Sequence, residues 1–206
     1  MLKLLIMLRE FIASQFKRPT GIIGILTSNR MAKNNQKNYD RLVKDLGIQP
    51  GDKLLEIGYG PGIGIRMIAE RCETCTIHGI DFSPLMYKRA GKYNREFIDA
   101  GRVSLQNGDF LQTPVIYNSY NKVFCLNVVY FWKELNEPFT KICSLLTQGG
   151  SFHMFMADEK TLVNMGVPDN VFNKYSVEQV VKALKGAGFE TVKHYAEKGH
   201  YIIAQK

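Results

Sequence analysis

The sequence predicts a doubly wound α/β fold: a seven-stranded, mostly parallel sheet with a terminal antiparallel hairpin strand, preceded by N-terminal helices. Three observations carry this. From Lys53 onward, short apolar strand-like segments alternate with amphipathic helical ones. A glycine cluster, Gly58-Tyr59-Gly60-Pro61-Gly62, follows directly on the first strand-like segment. The chain closes with two strand-like segments, Glu190 to Tyr195 and Tyr201 to Ala204, separated by Glu197-Lys198-Gly199.

Taken in order, Leu4, Leu5, Leu8, Phe11, Ile12 and Phe16 recur at helical spacing, so an N-terminal helix has one apolar face. Its apolar run ends at Arg9 and Glu10, too short to span a membrane, and no small-residue cleavage site follows. Packing on the domain or covering its active site is the preferred reading. A membrane-surface helix, with Lys3, Arg9, Lys17 and Arg18 on headgroups, is the alternative. Lys17-Arg18-Pro19-Thr20-Gly21 is a break. Residues 22–32 are ambiguous, and a helix runs from about Asn34 to Leu46, stopped by Gly47. Strands are expected at Lys53–Ile57, Thr76–Ile80, Val103–Gln106, Lys122–Leu126 and Ser151–Met156. Ser83 and Pro84 open the helix after the second strand. Another helix spans about Pro138 to Leu146, and Ser176 with Gln179 forms a capping box for the last.

The composition is that of an ordinary globular chain: 206 residues, 45% hydrophobic and 22% charged. The formal charge of +8 favours anionic partners without choosing among them, and its lysines and arginines are scattered along the chain. Four cysteines are too few and too scattered for a disulfide framework. Cys72 and Cys75 form a lone CxxC at a helix-to-strand junction, away from any helix N-terminus, so metal or redox duty is the lesser reading. No metal site is expected, and the chain reads as cytoplasmic.

The glycine cluster sits where doubly wound folds hold nucleotide cofactors. A dinucleotide fingerprint needs GxGxxG, but the third positions are Ile63, Ile65 and Met67 in the three registers. No Walker GK[ST] is present either. What is present is Glu56 followed by GxGxG. S-adenosylmethionine carries an ammonium and a sulfonium and no phosphate. A carboxylate at Glu56 and bare backbone at Gly58 and Gly60 suit it. Asp81, ending the second strand, can accept from both ribose hydroxyls, and Asp109 suits the adenine amino group. Phe82 and Phe110 would flank it as walls.

LLEIGYGPG, GIDFSPLM, NGDF and LNVVYFW, in this order and at these places, resemble class I (Rossmann-like) S-adenosylmethionine-dependent methyltransferases, particularly the ubiquinone-biosynthesis-type and small-molecule branch. LTQGG is similar to the family's turn before the fifth strand, with Gln148 where Pro is commoner. The resemblance covers nearly the whole chain. It implies a helical segment over residues 1–50 covering the site and a methyltransferase domain over 51–206. It implies cofactor contacts at Gly58, Gly60, Asp81, Phe82, Met86, Asp109 and Asn127, and Glu56, Tyr59 and Phe110 complete the expected cofactor set. S-adenosylhomocysteine would be the product.

Asn127-Val128-Val129-Tyr130 has the spacing of the (D/N)PP(Y/F) motif of base N-methylating enzymes but lacks both prolines, so nucleic acid is not the expected acceptor. Tyr130, Phe131 and Trp132 are the candidate acceptor walls, with Tyr130 a candidate proton relay. His153 reads as packing, His78 lies at the wrong end of its strand, and His194 and His200 border the hairpin; no general base is assigned. The expected activity is O-methylation of a hydroxyl or carboxylate on a small molecule or peptide end, with natural-product maturation as one setting. An RNA methyltransferase and a non-catalytic cofactor-binding partner protein are the alternatives. The oligomeric state is not legible.

Overall fold

A computed structural model describes Phe11, residues 14–165 and residues 171–206. The expected alternation is realised as α1 (Gly21–Asp45), β1 (Lys53–Ile57), α2 (Ile63–Arg71), β2 (Thr76–Asp81), α3 (Pro84–Tyr93), α4 (Arg95–Asp99), β3 (Val103–Asn107), β4 (Tyr120–Leu126), α5 (Asn136–Leu145), β5 (Leu146–Met156), α6 (Glu159–Asn164), α7 (Val177–Gly186), β6 (Thr191–Ala196) and β7 (His200–Gln205). The seven strands lie in the order β3-β2-β1-β4-β5-β7-β6. The first five are parallel, while β7 runs antiparallel to both β5 and β6, completing the hairpin. Because β2 and β4 lie on opposite sides of β1, the connections after β1 diverge and leave a crevice at the carboxyl ends of β1 and β4.

Strand alternation builds a core on each face of the sheet. Leu55, Ile57, Val123 and Cys125 join one cluster with Phe139 and Phe152. Leu54, Phe124 and Leu126 join the other with Tyr39, Leu42 and Ile65. The long middle strands are buried on both sides, which is why they read as continuous apolar runs.

Several boundaries differ from expectation. The break at Arg18–Thr20 is present, but residues 22–32 are helical and continuous with the helix expected from Asn34. The periodicity was obscured because α1 turns Ser28 inward and leaves Ile22 and Leu26 outward. β5 begins at Leu146, pairing with Tyr120 before an irregularity and resuming at Lys122 with Ser151. Short helices α4 and α6 are additional; Asp158 caps α6 by accepting from Thr161 N at 2.7 Å. The capping box at Ser176 and Gln179 is formed. Cys125 and Cys143 are free, while Cys72 and Cys75 are disulfide-bonded to each other, one local link and not a framework. Their Cα atoms are 5.4 Å apart across the tight turn joining α2 to β2, so the link needs no wider framework. Among the described residues, no helix is long and apolar enough to cross a membrane. The expected N-terminal helix lies mostly outside the described residues.

Candidate active site

The crevice holds a cavity of about 620 Å³, within the range of small-molecule sites. Its floor is the β1–α2 turn. Gly58 has φ +70°, and a Cβ there would lie 2.5 Å from Val128 Cγ2, so both backbone conformation and space require glycine. Gly60 adopts φ +52° and donates its N–H to Asp81 Oδ2 at 2.8 Å. Ser83 N donates to Asp81 Oδ1, also at 2.8 Å. These bonds aim the carboxyl into the cavity and leave lone pairs free to accept further hydrogen bonds. Burial pushes the Asp81 carboxyl up to about 6, opposed by the two N–H donors, so it is ionised near neutrality.

Asp109 lies on the cavity after β3, its Oδ1 accepting from Leu111 N at 2.8 Å. Phe82, Met86 and Phe110 supply apolar wall. Asn127, at φ +58°, ends β4 against the cavity and donates from Nδ2 to Asn35 Oδ1 at 3.2 Å. Phe131 and Trp132 also line the cavity, the Trp132 ring 6.5 Å from that of Phe110.

Three expected residues fall elsewhere. Glu56 is fully buried, off the cavity lining, with Oε1 accepting from Tyr39 OH at 2.9 Å and Oε2 unpartnered among the described residues. A strand alternates its side chains, so Glu56 projects from the face opposite Ile57, which does line the cavity. Desolvation raises its carboxyl to about 8. Tyr59 also turns inward: its ring packs beneath Gly79, and its hydroxyl donates to Gln106 O at 3.3 Å. Only its backbone is part of the turn. Tyr130 is 1% exposed and off the lining. Its hydroxyl accepts from Ala157 N and can donate to Asn127 Oδ1 at 3.2 Å or to Ala157 O at 3.3 Å. Burial raises that phenol well above its ordinary value, which unsuits it to proton relay.

The structure adds residues that sequence reasoning missed. Phe16, Pro19, Ser28 and Met31 line the cavity from the N-terminal side. The expected cover over residues 1–50 gave their region and the apolar pattern included Phe16, but the particular side chains were not legible, the polar Ser28 lying on what proved the inner face of α1. Arg89 of α3 fastens this helix by donating to Ile25 O, Ser28 Oγ and Asn29 Oδ1. The histidines stand apart. His153 is buried against Ser151 Oγ at 2.9 Å and pushed down to about 3 by desolvation, while His194 and His200 face each other at 2.9 Å. Cys125 is fully buried in the core.

Charge within the lining contrasts with the chain's +8. Asp81, Asp109, Glu134 and Glu137 face Lys17 and Lys133. Glycine backbone, an aimed carboxylate and apolar walls suit an adenosyl group with a cationic tail.

Comparison with known proteins agrees. A family described as a methyltransferase domain matches residues 54–150, the stretch carrying β1 through the start of β5. The methyltransferase YdaC of Bacillus subtilis is 28% identical over 162 residues, covering 79% of this chain and 84% of its own. Sterol 24-C-methyltransferase of Saccharomyces cerevisiae is 26% identical over 158 residues, covering 71% of this chain and 41% of its own. The chain thus spans less than half the length of that sterol enzyme. A phosphoethanolamine N-methyltransferase of Haemonchus contortus, solved with S-adenosyl-L-methionine, shares the fold at a TM-score of 0.70 and 20% identity, over 82% of this chain and 52% of its own. The glycine turn, the strand-end acids and the sheet order therefore coincide with a methyltransferase domain over residues 54–150, in a chain similar in fold to class I S-adenosylmethionine-dependent methyltransferases.

Proposed function

We propose that this enzyme methylates a small, largely apolar, uncharged acceptor at a hydroxyl oxygen. The observation that carries this reading is the make-up of the cavity. The cofactor-side residues Gly58, Asp81 and Asp109 share one space with Phe16, Met31, Phe131 and Trp132. Asp81 would hold the ribose and Phe110 and Met86 the adenine. Gly58 and Gly60 would let the methionyl end lie against backbone. When bound, S-adenosylmethionine supplies an electrophilic methyl group on a sulfonium. The chain's own contribution is to orient the acceptor against the apolar walls and to exclude water, which supplies much of the acceleration in such displacements.

The exposed glutamates Glu134 and Glu137 disfavour an anionic acceptor by repulsion. That weighs against a free carboxylate, a peptide C-terminus or an RNA phosphate. No histidine lies among the described lining residues. Any base for the accepting hydroxyl would be a lining carboxylate, and a hydroxyl acidic of itself, as in a phenol or enol, would need the least help. Sterol enzymes among the relatives act, by their name, on an apolar molecule, which is in keeping with the walls here.

The test is calorimetry followed by a labelled-methyl assay. Asp81→Ala should weaken S-adenosylmethionine binding by about tenfold or more, since hydrogen bonds to a charged group contribute roughly 1.5–3 kcal/mol. Label transferred from the wild-type enzyme into cell extract should partition into the organic phase. Unchanged affinity would remove Asp81 from the site, and label in nucleic acid would overturn the acceptor class. Binding without any turnover would favour the non-catalytic alternative.

A further inference from the structure

We propose that the outward face of α1 docks on an anionic phospholipid bilayer. The first two turns of the helix would enter the hydrocarbon boundary, and the cations that follow would lie among the headgroups. The helix carries two faces of opposite character. One is packed: Gly24, Ser28, Tyr39, Leu42 and Val43 are buried, and Ser28 and Met31 line the cavity. The other carries large apolar side chains left exposed among the described residues. Ile22 is 78% exposed, Leu26 64%, Ile23 48% and Ile25 38%.

Helical spacing continues that outer face in a consistent pattern. Ile22 and Leu26 are followed by Arg30, Lys33 and Lys37, each three or four residues on and each exposed. None of these three cations takes part in an ion pair among the described residues. The stripe ends at Asp40. An apolar tip followed by a cationic shaft is the arrangement of helices that lie in a membrane interface, where apolar burial and attraction to anionic lipid act together.

Charge complementarity selects the occupant. A nucleic acid would match the cations but leave three isoleucines and a leucine without apolar cover. A second copy of the chain would bring two like-charged rows together. A bilayer with anionic headgroups satisfies both halves of the face at once. The orientation of α1 is set by the Arg89 bonds and by Tyr39, so the stripe is presented on a fixed support. This docking does not depend on the acceptor assigned above.

The experiment is co-sedimentation of the full chain with large vesicles of phosphatidylcholine alone and of phosphatidylcholine mixed with phosphatidylglycerol. The wild type should bind the mixed vesicles and bind the neutral ones at least tenfold more weakly. The variant I22S/I23S/L26S should lose at least tenfold in association with the mixed vesicles. R30E/K33E/K37E should lose the preference for phosphatidylglycerol, at about fivefold or more per reversed charge. Both variants should keep the wild-type melting temperature and S-adenosylmethionine affinity, because the altered side chains point away from core and cavity. Several results would overturn the proposal: no vesicle association, equal association by I22S/I23S/L26S, a dimer in light scattering that the same substitutions dissolve, or tighter binding to RNA than to mixed vesicles.

Discussion

Glu56 shows how far one side chain's role can differ from its place in a motif. It stands immediately before the glycine turn, yet its carboxyl is enclosed between Tyr39 of α1 and Gly64 of α2, where a Cβ on Gly64 would lie 2.8 Å from its oxygens. Desolvation lifts its pKa from 4.5 to about 8. The folded protein therefore holds a proton that the unfolded chain releases between those two values. Stability must fall as pH rises through that window, by up to about 1.4 kcal/mol per pH unit. Glu56→Gln keeps an acceptor for Tyr39 and removes the titration. Its unfolding midpoint in urea should change little between pH 6 and 8.5, whereas that of the wild type should drop; parallel profiles would refute the neutral carboxyl. Of the site residues, Asp81 and Gly58 could be located from spacing alone, because strand ends and tight turns are local. Tyr59 and Tyr130 could not, because which side of the backbone faces the cavity depends on the packing beneath it.

At the scale of elements, the segment after β3 has few ladder bonds of its own and is held from outside. Lys141 of α5 donates to the carbonyls of Phe110, Leu111 and Thr113 at 2.6, 3.1 and 2.9 Å. Its ammonium also lies 4.9 Å from the centre of the Phe110 ring. One helix thereby sets the position of the loop that carries Asp109 and Phe110. Lys141→Met should weaken S-adenosylmethionine binding about fivefold by calorimetry, with Lys141→Arg recovering part of the loss, since the lost bonds are charge-assisted but partly solvated. Equal affinity in Lys141→Met would mean that the loop holds its own shape. The long helix α1 makes the complementary point. Its second half was legible from Leu42, Val43 and Leu46, but its first half presents apolar residues to solvent and defeats a pattern that assumes apolar means inward.

For the whole molecule, the cavity draws walls from the N-terminal segment, the sheet ends and the loops after β3 and β4 together. A ligand there should stabilise the fold as a unit. At a concentration one hundred times its Kd, S-adenosylmethionine should add about 2.7 kcal/mol and raise the melting temperature by roughly 5–10 °C. A melting curve indifferent to the compound would contradict the site. The charge of +8 is likewise a property of the whole and a poor guide to any part: the lining carries four carboxylates against two lysines.

The alternation of strands and helices, the closing hairpin, the glycine turn and the acids at the strand ends were all determined by the sequence itself. Each rests on periodicity or on a turn within a few residues. Tertiary structure decided what local pattern does not encode: that Glu56, Tyr59 and Tyr130 belong to the interior, that Ser28 and Met31 reach the cavity, and that Cys72 meets Cys75. A side chain's surroundings are set by chain segments distant in sequence, and only folding brings those segments together.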